Sequence, residues 1–158
     1  MSTTVRYRLN KASETQIAEH LLHCDAEFVP RLSGRVEIID YARKITKNAT
    51  RFEAWSGSIL IGLIAAYCND LKSRTVYITS VSVLRKWMGK GIAVKLMKQS
   101  IEHAEALSML QMTLEVASGN IPAIRLYEKA GFVAGKVSAS SLSMDLLLAR
   151  GEEHERQA

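Results

Sequence analysis

The stretch Val76–Ala93, VYITSVSVLRKWMGKGIA, constrains this chain more than any other. It joins an apolar, β-branched strand to a short basic loop, two closely spaced glycines and a helix-patterned segment. Gly89 and Gly91 lack Cβ, so the backbone there can take positive φ and lie close against a ligand. Ile92, Leu96, Met97, Ile101 and Ala104 recur at helical spacing, which opens a helix at or just after the glycines. The first amides of such a helix have no intrahelical partner, and its positive dipole end faces the loop. Phosphate or pyrophosphate is the natural guest of this turn, with Arg85, Lys86 and Lys90 adding positive charge around it. A glycine pair is also what an ordinary strand-to-helix turn uses, so the loop alone does not decide.

A second stretch narrows the choice. Residues Asn120–Phe132 read NIPAIRLYEKAGF, in which Asn120 can cap a helix, Pro122 suits its first turn and Gly131 ends it. Asn120 and Tyr127 are two helical turns apart and share one face. With this segment in place, the sequence resembles the GNAT superfamily of acyl-CoA-dependent N-acetyltransferases. The resemblance rests on the Val83–Ala93 loop, on Asn120 with Ala123, Leu126 and Tyr127, and on the Gly131–Phe132 pair. The first third of the chain matches only in outline. One position departs from the pattern: where the family usually carries Gln or Arg before the first glycine, this chain has Lys86. Lysine keeps the charge and loses the fork geometry, and backbone amides supply most of a phosphate cradle.

The resemblance implies a single-domain α/β (α+β) fold with a mixed, mostly antiparallel central sheet, flanked by helices and split around the acyl-CoA site. It assigns residues 1–150 to one acetyltransferase domain and leaves Gly151–Ala158 as a polar, disordered tail. It implies acetyl-CoA as co-substrate, held by Val81, Val83, Arg85, Lys86, Met88, Gly89, Lys90, Gly91, Ile92, Ala93, Asn120, Ala123 and Tyr127.

Composition is ordinary for a soluble globular protein. The chain has 158 residues, 47% of them hydrophobic and 23% charged, enough for one domain with a real core. Its net charge of +5 is spread without a run of like charges, which argues against nucleic acid and suits a polyanionic cofactor. Cys24 and Cys68 lack CxxC spacing, fitting a reduced cytoplasmic interior. The amino terminus lacks the apolar core of a signal peptide, and no apolar run is long enough for a membrane span. His20, His23 and Cys24 crowd a helix end; a metal site and plain helix-end packing both fit that cluster, and packing is the commoner use. No metal is expected.

The remaining pattern orders the elements. Val5–Leu9 alternates as a strand. Ser13 with Gln16 forms a capping box ahead of the apolar positions Ile17, Leu21 and Leu22. Ala26–Arg35 reads as loop, and Val36–Lys47 as a second helix. Arg51–Trp55 and Ile59–Cys68 form a hairpin around Ser56-Gly57-Ser58, followed by Arg74–Val83 as the central strand. After the glycine helix come a strand at Met112–Val116, the Asn120 helix and strands at Phe132–Val137 and Leu142–Leu148. In the resembled family the helix-loop-helix region after the first strand borders the acceptor. That makes Glu27, Phe28, Arg31 and Tyr41 candidate acceptor contacts, with Thr79 on the central strand beside them.

The reaction itself sets further needs. An amine attacks a thioester carbonyl, an oxyanion forms and a thiolate leaves. An extended pantetheine arm can hydrogen-bond the main chain near Val81 and Val83 like an added strand, and a backbone N–H there can hold the oxyanion. Positioning of the two reactants then supplies much of the rate. Tyr127 is the candidate acid for the leaving group. Its unperturbed pKa of about 10 exceeds a thiol's value of about 8.5, which favours a hydrogen bond over full proton transfer. Asn120 orients the cofactor, caps its helix, or does both.

The base is open, because many family members place Glu where this chain has Thr79 and Ser80. Glu115, Asp70 and Glu53 are substitutes, with Glu115 the first choice; a water chain is an equal alternative. Three readings follow: an N-acetyltransferase for a primary amine of a small molecule such as an amino sugar, an acetyltransferase for protein amines, or a non-catalytic CoA-binding module. Exposed strands at the carboxyl end make a homodimer an expectation as well.

Overall fold

A computed structural model describes residues 4–148. The expected tail at Gly151–Ala158 lies outside the described residues. Seven strands hydrogen-bond in the order β1-β2-β3-β4-β5-β7-β6. They are β1 (Arg6–Leu9), β2 (Thr50–Ser56), β3 (Ile59–Asp70), β4 (Thr75–Val83), β5 (Gln111–Ala117), β6 (Val133–Ser138) and β7 (Ser141–Leu147), with helices α1 (Glu14–Cys24), α2 (Ile38–Asn48), α3 (Ile92–Ala106) and α4 (Ile121–Ala130) between them. Strand β4 runs parallel to β5, whereas β1–β2, β5–β7 and β6–β7 are antiparallel, giving the mixed sheet expected of the fold.

The chain forms two compact units. The first comprises the residues through Ala65 together with Ser80–Leu96. Helix α1 starts as its sequence dictates: Ser13 Oγ accepts from Gln16 N–H and Gln16 Oε1 accepts from Ser13 N–H, closing the capping box. Helix α2 begins at Ile38 rather than Val36, because the Glu37 carboxylate accepts the amides of Ile39 and Asp40 and so stands at the cap. The connection expected as plain loop contains two short 3-10 turns, Asp25–Glu27 and Leu32–Gly34. The apolar faces of both helices close the core of this unit through Ile17, Leu21 and Ile45, with Ile61, Leu63 and Ile64 from β3.

A buried carboxylate ties β2 to the connection between β1 and α1. Glu53, with no exposed surface, accepts from Lys11 N–H and Ala12 N–H at 3.0 Å each and from Trp55 Nε1–H at 3.1 Å. Arg51 Nε lies 3.6 Å from it, and the same guanidinium donates to the carbonyls of Ala12 and Thr46. The carboxylate's lone pairs are committed, which removes Glu53 from the candidate bases.

The second unit comprises Ala66–Thr79 and the chain from Met97 onward. Its core is rich in methionine, with Met97, Met109, Met112 and Met144 fully buried beside Leu114; unbranched thioethers fill the irregular space between helix and sheet. The parallel register runs from Thr75↔Gln111 to Ile78↔Leu114 and ends there, although β4 continues to Val83 and β5 to Ala117. Strand β4 starts at Thr75 instead of Arg74, which takes φ +54° and donates its guanidinium to the Ser108 carbonyl.

Candidate functional site

In the first unit, β4 passes through a 3-10 turn at Arg85–Trp87 into Met88, Gly89, Lys90 and Gly91, and then into α3. Trp87 N–H bonds Leu84 O at 2.8 Å and Met88 N–H bonds Arg85 O at 3.2 Å, which shapes the turn. Gly89 and Gly91 take φ of +75° and +79°, a region that a side chain disfavours. A Cβ at either would meet nothing within 4 Å, so conformation, not crowding by the chain itself, requires glycine at both.

Lys95 N–H bonds Gly91 O at 3.1 Å, which makes Gly91 the cap of α3. The other three helices begin at residues whose side chains accept first-turn amides, namely Ser13, Glu37 and Asn120. Gly91 has none to offer, and the leading amides of α3 face the loop. Arg85, Lys86, Met88 and Lys90 are exposed around it, while Val83 and Ile92 are buried and Val81 and Ala93 half-buried. Lys95 crosses above the Tyr7 ring at 4.5 Å.

The root of this loop is held by a buried histidine that sequence reasoning placed in a helix-end cluster. His20 Nδ1 lies 2.8 Å from the Leu60 carbonyl, so that nitrogen carries the proton and donates; Nε2 then accepts from Ser82 Oγ–H at 2.9 Å. Burial pushes the imidazole down to about 4, against the pull of its hydrogen bonds to Leu60 and Ser82. Burial likewise pushes the neighbouring Cys24 thiol up to about 12. His23 is exposed and bonds the Glu19 carbonyl of its own helix, so the three side chains do not converge as ligands.

The acceptor candidates of this unit lie on the connection between α1 and α2 and on α2. Phe28 and Tyr41 are half-buried and Glu27 and Arg31 exposed. Glu27 reaches Arg85 Nε at 3.9 Å, and Arg31 reaches Asp25 at 3.9 Å. Sequence reasoning also missed Gly62 on β3, whose packing against the start of α3 becomes legible only in three dimensions.

The second unit carries Thr79, Glu115, Asn120, Ala123 and Tyr127. Asn120 Oδ1 accepts from Ala123 N–H at 3.4 Å, the capping role expected of it. Gly131, at φ +108°, closes α4, and Phe132 N–H bonds the Tyr127 carbonyl at 3.0 Å. The Tyr127 ring packs against Phe132 with centroids 6.0 Å apart and is 7% exposed. Burial pushes its phenol up to about 12, so it keeps its proton and can donate it in a hydrogen bond. Glu115 is exposed on β5 opposite Ser143 of β7, and it is the first β5 residue past the end of the register with β4. Asp70 is occupied by a turn, accepting from Ser73 N–H and Oγ–H.

Comparison with known proteins decides the lineage. The profile of the GNAT acetyltransferase family matches residues 15–132. The chain belongs to the GNAT family. Among curated GNAT relatives it is 34% identical over 77 residues to the spermine/spermidine N(1)-acetyltransferase of Bacillus subtilis, a match covering 48% of this chain and 51% of that protein. The chain thus spans about half the length of the curated relatives it matches.

Solved structures share the fold at low identity. A Bacillus subtilis acetyltransferase in complex with CoA superposes with a TM-score of 0.71 at 18% identity, over 92% of this chain and 99% of that one. The ribosomal-protein-S18-alanine N-acetyltransferase of Escherichia coli gives 0.71 at 15% identity, over 90% and 94%. The GNAT resemblance and the fold read from the sequence are therefore correct: residues 15–132 match the acetyltransferase (GNAT) family, and the solved structures share the fold.

Proposed function

We propose that this protein transfers the acetyl group of acetyl-CoA to a primary amine of a small molecule, with an aliphatic polyamine as the leading acceptor class. The observation that carries the cofactor half is the pair of positive-φ glycines opening onto the side-chain-free start of α3, which fits a pyrophosphate. The polyamine choice rests on the partial match to a spermine/spermidine acetyltransferase. Residues 1–150 are assigned to one domain and to the cytoplasm; among the described residues no helix is long and apolar enough to cross a membrane.

The bound co-substrate supplies an activated thioester; the chain supplies position, donors and a proton acceptor. Amides of Gly89, Gly91, Ile92 and Ala93 hold phosphate oxygens, while Arg85, Lys86 and Lys90 add charge at the rim and Met88 an apolar contact. Backbone groups at Val81 and Val83 take up the extended arm, and Asn120 and Ala123 orient it. Tyr127 donates a hydrogen bond to the departing sulfur. Its phenol stands at about 12, about three units above a thiol, so it stabilises the thiolate without surrendering its proton.

Glu115 takes the proton of the amine, directly or through water, since Glu53 is spent in the core and Asp70 in a turn. Phe28, Tyr41 and Thr79 contact the acceptor. Strand β6, last in the sheet order and exposed along its length, supports a homodimer formed along that edge, which sedimentation analysis checks.

The test is a panel. Thiol release from acetyl-CoA is followed with spermidine, spermine, an amino sugar and a peptide amino terminus as acceptors. Fastest turnover with the polyamines supports the proposal. Preference for the peptide transfers the reading to protein acetylation, and binding of acetyl-CoA without turnover on any amine leaves a non-catalytic module.

A further inference from the structure

The glycine loop leaves β4 just after the buried residues Ser82 and Val83. A cavity of about 600 Å³ opens beside it, lined among others by His20, His23, Leu84, Arg85 and Lys86. Besides the pairing of β4 with β3, three hydrogen bonds meet at this strand end: Leu84 N–H to the Ile61 carbonyl at 2.8 Å, His20 Nδ1–H to the Leu60 carbonyl at 2.8 Å, and Ser82 Oγ–H to His20 Nε2 at 2.9 Å. His20 thus joins α1 to β3 and to β4 at once. Cys24 Sγ is 3.7 Å from the same Nε2, a weak contact beside the short bond from Ser82.

The residue types argue for a specific purpose. The inward positions of β4 run from Val76 and Ile78, ordinary core residues, to the hydroxyls of Ser80 and Ser82; Ser80 Oγ is buried without a hydrogen-bond partner among the described residues, whereas Ser82 Oγ is matched to His20. An apolar pair would fill the space between α1 and β4 at lower cost, because buried polar groups must be matched to a partner. A matched pair does what an apolar pair cannot: it sets one distance and one orientation. Six residues separate Ser82 from Gly89, so this strand end is the nearest fixed point from which the cradle is presented.

We propose that His20 is a positioning residue for cofactor binding, holding through Ser82 the strand end from which the glycine loop is presented. The proposal rests on the reading of that loop as the pyrophosphate site. It requires the Ser82 bond specifically, and the tie to Leu60 is secondary.

Calorimetric titration with acetyl-CoA separates these statements. Ser82→Ala removes the hydroxyl. His20→Asn keeps a donor near the Nδ1 position for Leu60 and gives up the acceptor for Ser82, whereas His20→Gln keeps an acceptor near Nε2. The expected result is acetyl-CoA affinity weakened about three- to thirtyfold in Ser82→Ala and His20→Asn. His20→Gln should stay within about threefold of wild type, with turnover at saturating acetyl-CoA preserved in all three. The double variant His20→Asn/Ser82→Ala should be no weaker than either single one.

Gly89→Val, which strains the loop at φ +75°, is the control for the underlying reading. If Gly89→Val abolishes binding while Ser82→Ala and His20→Asn bind like wild type, the clamp is refuted and the loop assignment stands. Lower melting temperatures without a change in affinity refute it in the same way. If Gly89→Val binds like wild type, the loop assignment itself falls and takes the clamp with it. Should His20→Asn fail to fold, Ser82→Ala, a smaller change on a regular strand, decides alone.

Discussion

A Cβ placed on Gly62 of β3 would lie 2.8 Å from Ile92 Cγ2, closer than side chains approach one another, and 3.2 Å from Leu96 Cδ1. Ile92 is the first residue of α3 and Gly91 caps it, so the absence of a side chain at Gly62 is what lets the amino-terminal end of the helix sit down on the sheet. Gly62→Val should cost about 1–3 kcal/mol of stability through overpacking. It should also weaken acetyl-CoA binding by displacing the start of α3. Urea unfolding and calorimetry measure the two effects; a variant as stable as wild type would mean that Ile92 repacks freely.

Tyr127→Phe keeps the ring on Phe132 and removes only the phenol. Turnover should fall about ten- to a thousandfold with acetyl-CoA affinity nearly unchanged. Because the phenol stands at about 12, its ionisation should leave no limb in the pH–rate profile below pH 10. Steady-state kinetics from pH 6 to 10 check both statements, and unchanged turnover removes Tyr127 from the mechanism.

Glu115→Gln conserves shape and abolishes proton acceptance. The expected loss is about ten- to a hundredfold in kcat/KM at neutral pH, shrinking as the pH rises and more of the amine is already unprotonated. A pH–rate comparison of wild type and variant shows this directly. Parallel profiles of equal height would assign the proton to water.

His20 couples stability to pH. Its folded value of about 4 lies below the unfolded value of about 6.5, so the unfolded chain binds the proton first and stability falls as pH drops from about 6.5 towards 4, then levels off. Between pH 7 and 4.5 wild type should lose about 2 kcal/mol through this group, and His20→Gln should lack that contribution. Urea midpoints of the two proteins at both pH values isolate the difference.

Glu53→Gln leaves the volume of the side chain and replaces one acceptor oxygen by a donor facing backbone amides. With Lys11, Ala12 and Trp55 donating to the carboxylate and Arg51 beside it, the expected cost is about 2–4 kcal/mol. Thermal unfolding measures it. Turnover per folded molecule should be unaffected, since Glu53 does no chemistry.

The contrast between Glu115 and Glu53 shows what the sequence could and could not reveal. Both are lone carboxylates in apolar strands, and alternation alone gives each the same standing as a base. Only the fold sends Glu53 into the core against the amides of Lys11 and Ala12, residues some forty positions away in sequence. Local signals fared better. The capping box at Ser13, the cap at Asn120, the left-handed Gly131 and the glycine pair each act within one turn of chain, and each appears where its spacing puts it.

The His20 to Ser82 bond and the fit of Gly62 under Ile92 were invisible for the opposite reason. They join segments whose proximity exists only after the sheet has formed. His20, read beside His23 and Cys24, fits helix-end packing, with a metal site the less common use, because helical neighbours in sequence are the only company it has there. The second helix shows a smaller version of the same limit: its pattern begins at Val36, but the Glu37 side chain takes the first amides and moves the start to Ile38.

The most direct test of acetyl transfer to a small amine is mass spectrometry of spermidine incubated with acetyl-CoA and the purified protein, alongside Tyr127→Phe. The account predicts monoacetylated spermidine formed stoichiometrically with free CoA, and formed at least about tenfold more slowly by the variant. Acetyl-CoA left intact in the presence of spermidine, spermine and amino sugars alike, by a protein that binds it, would contradict the account.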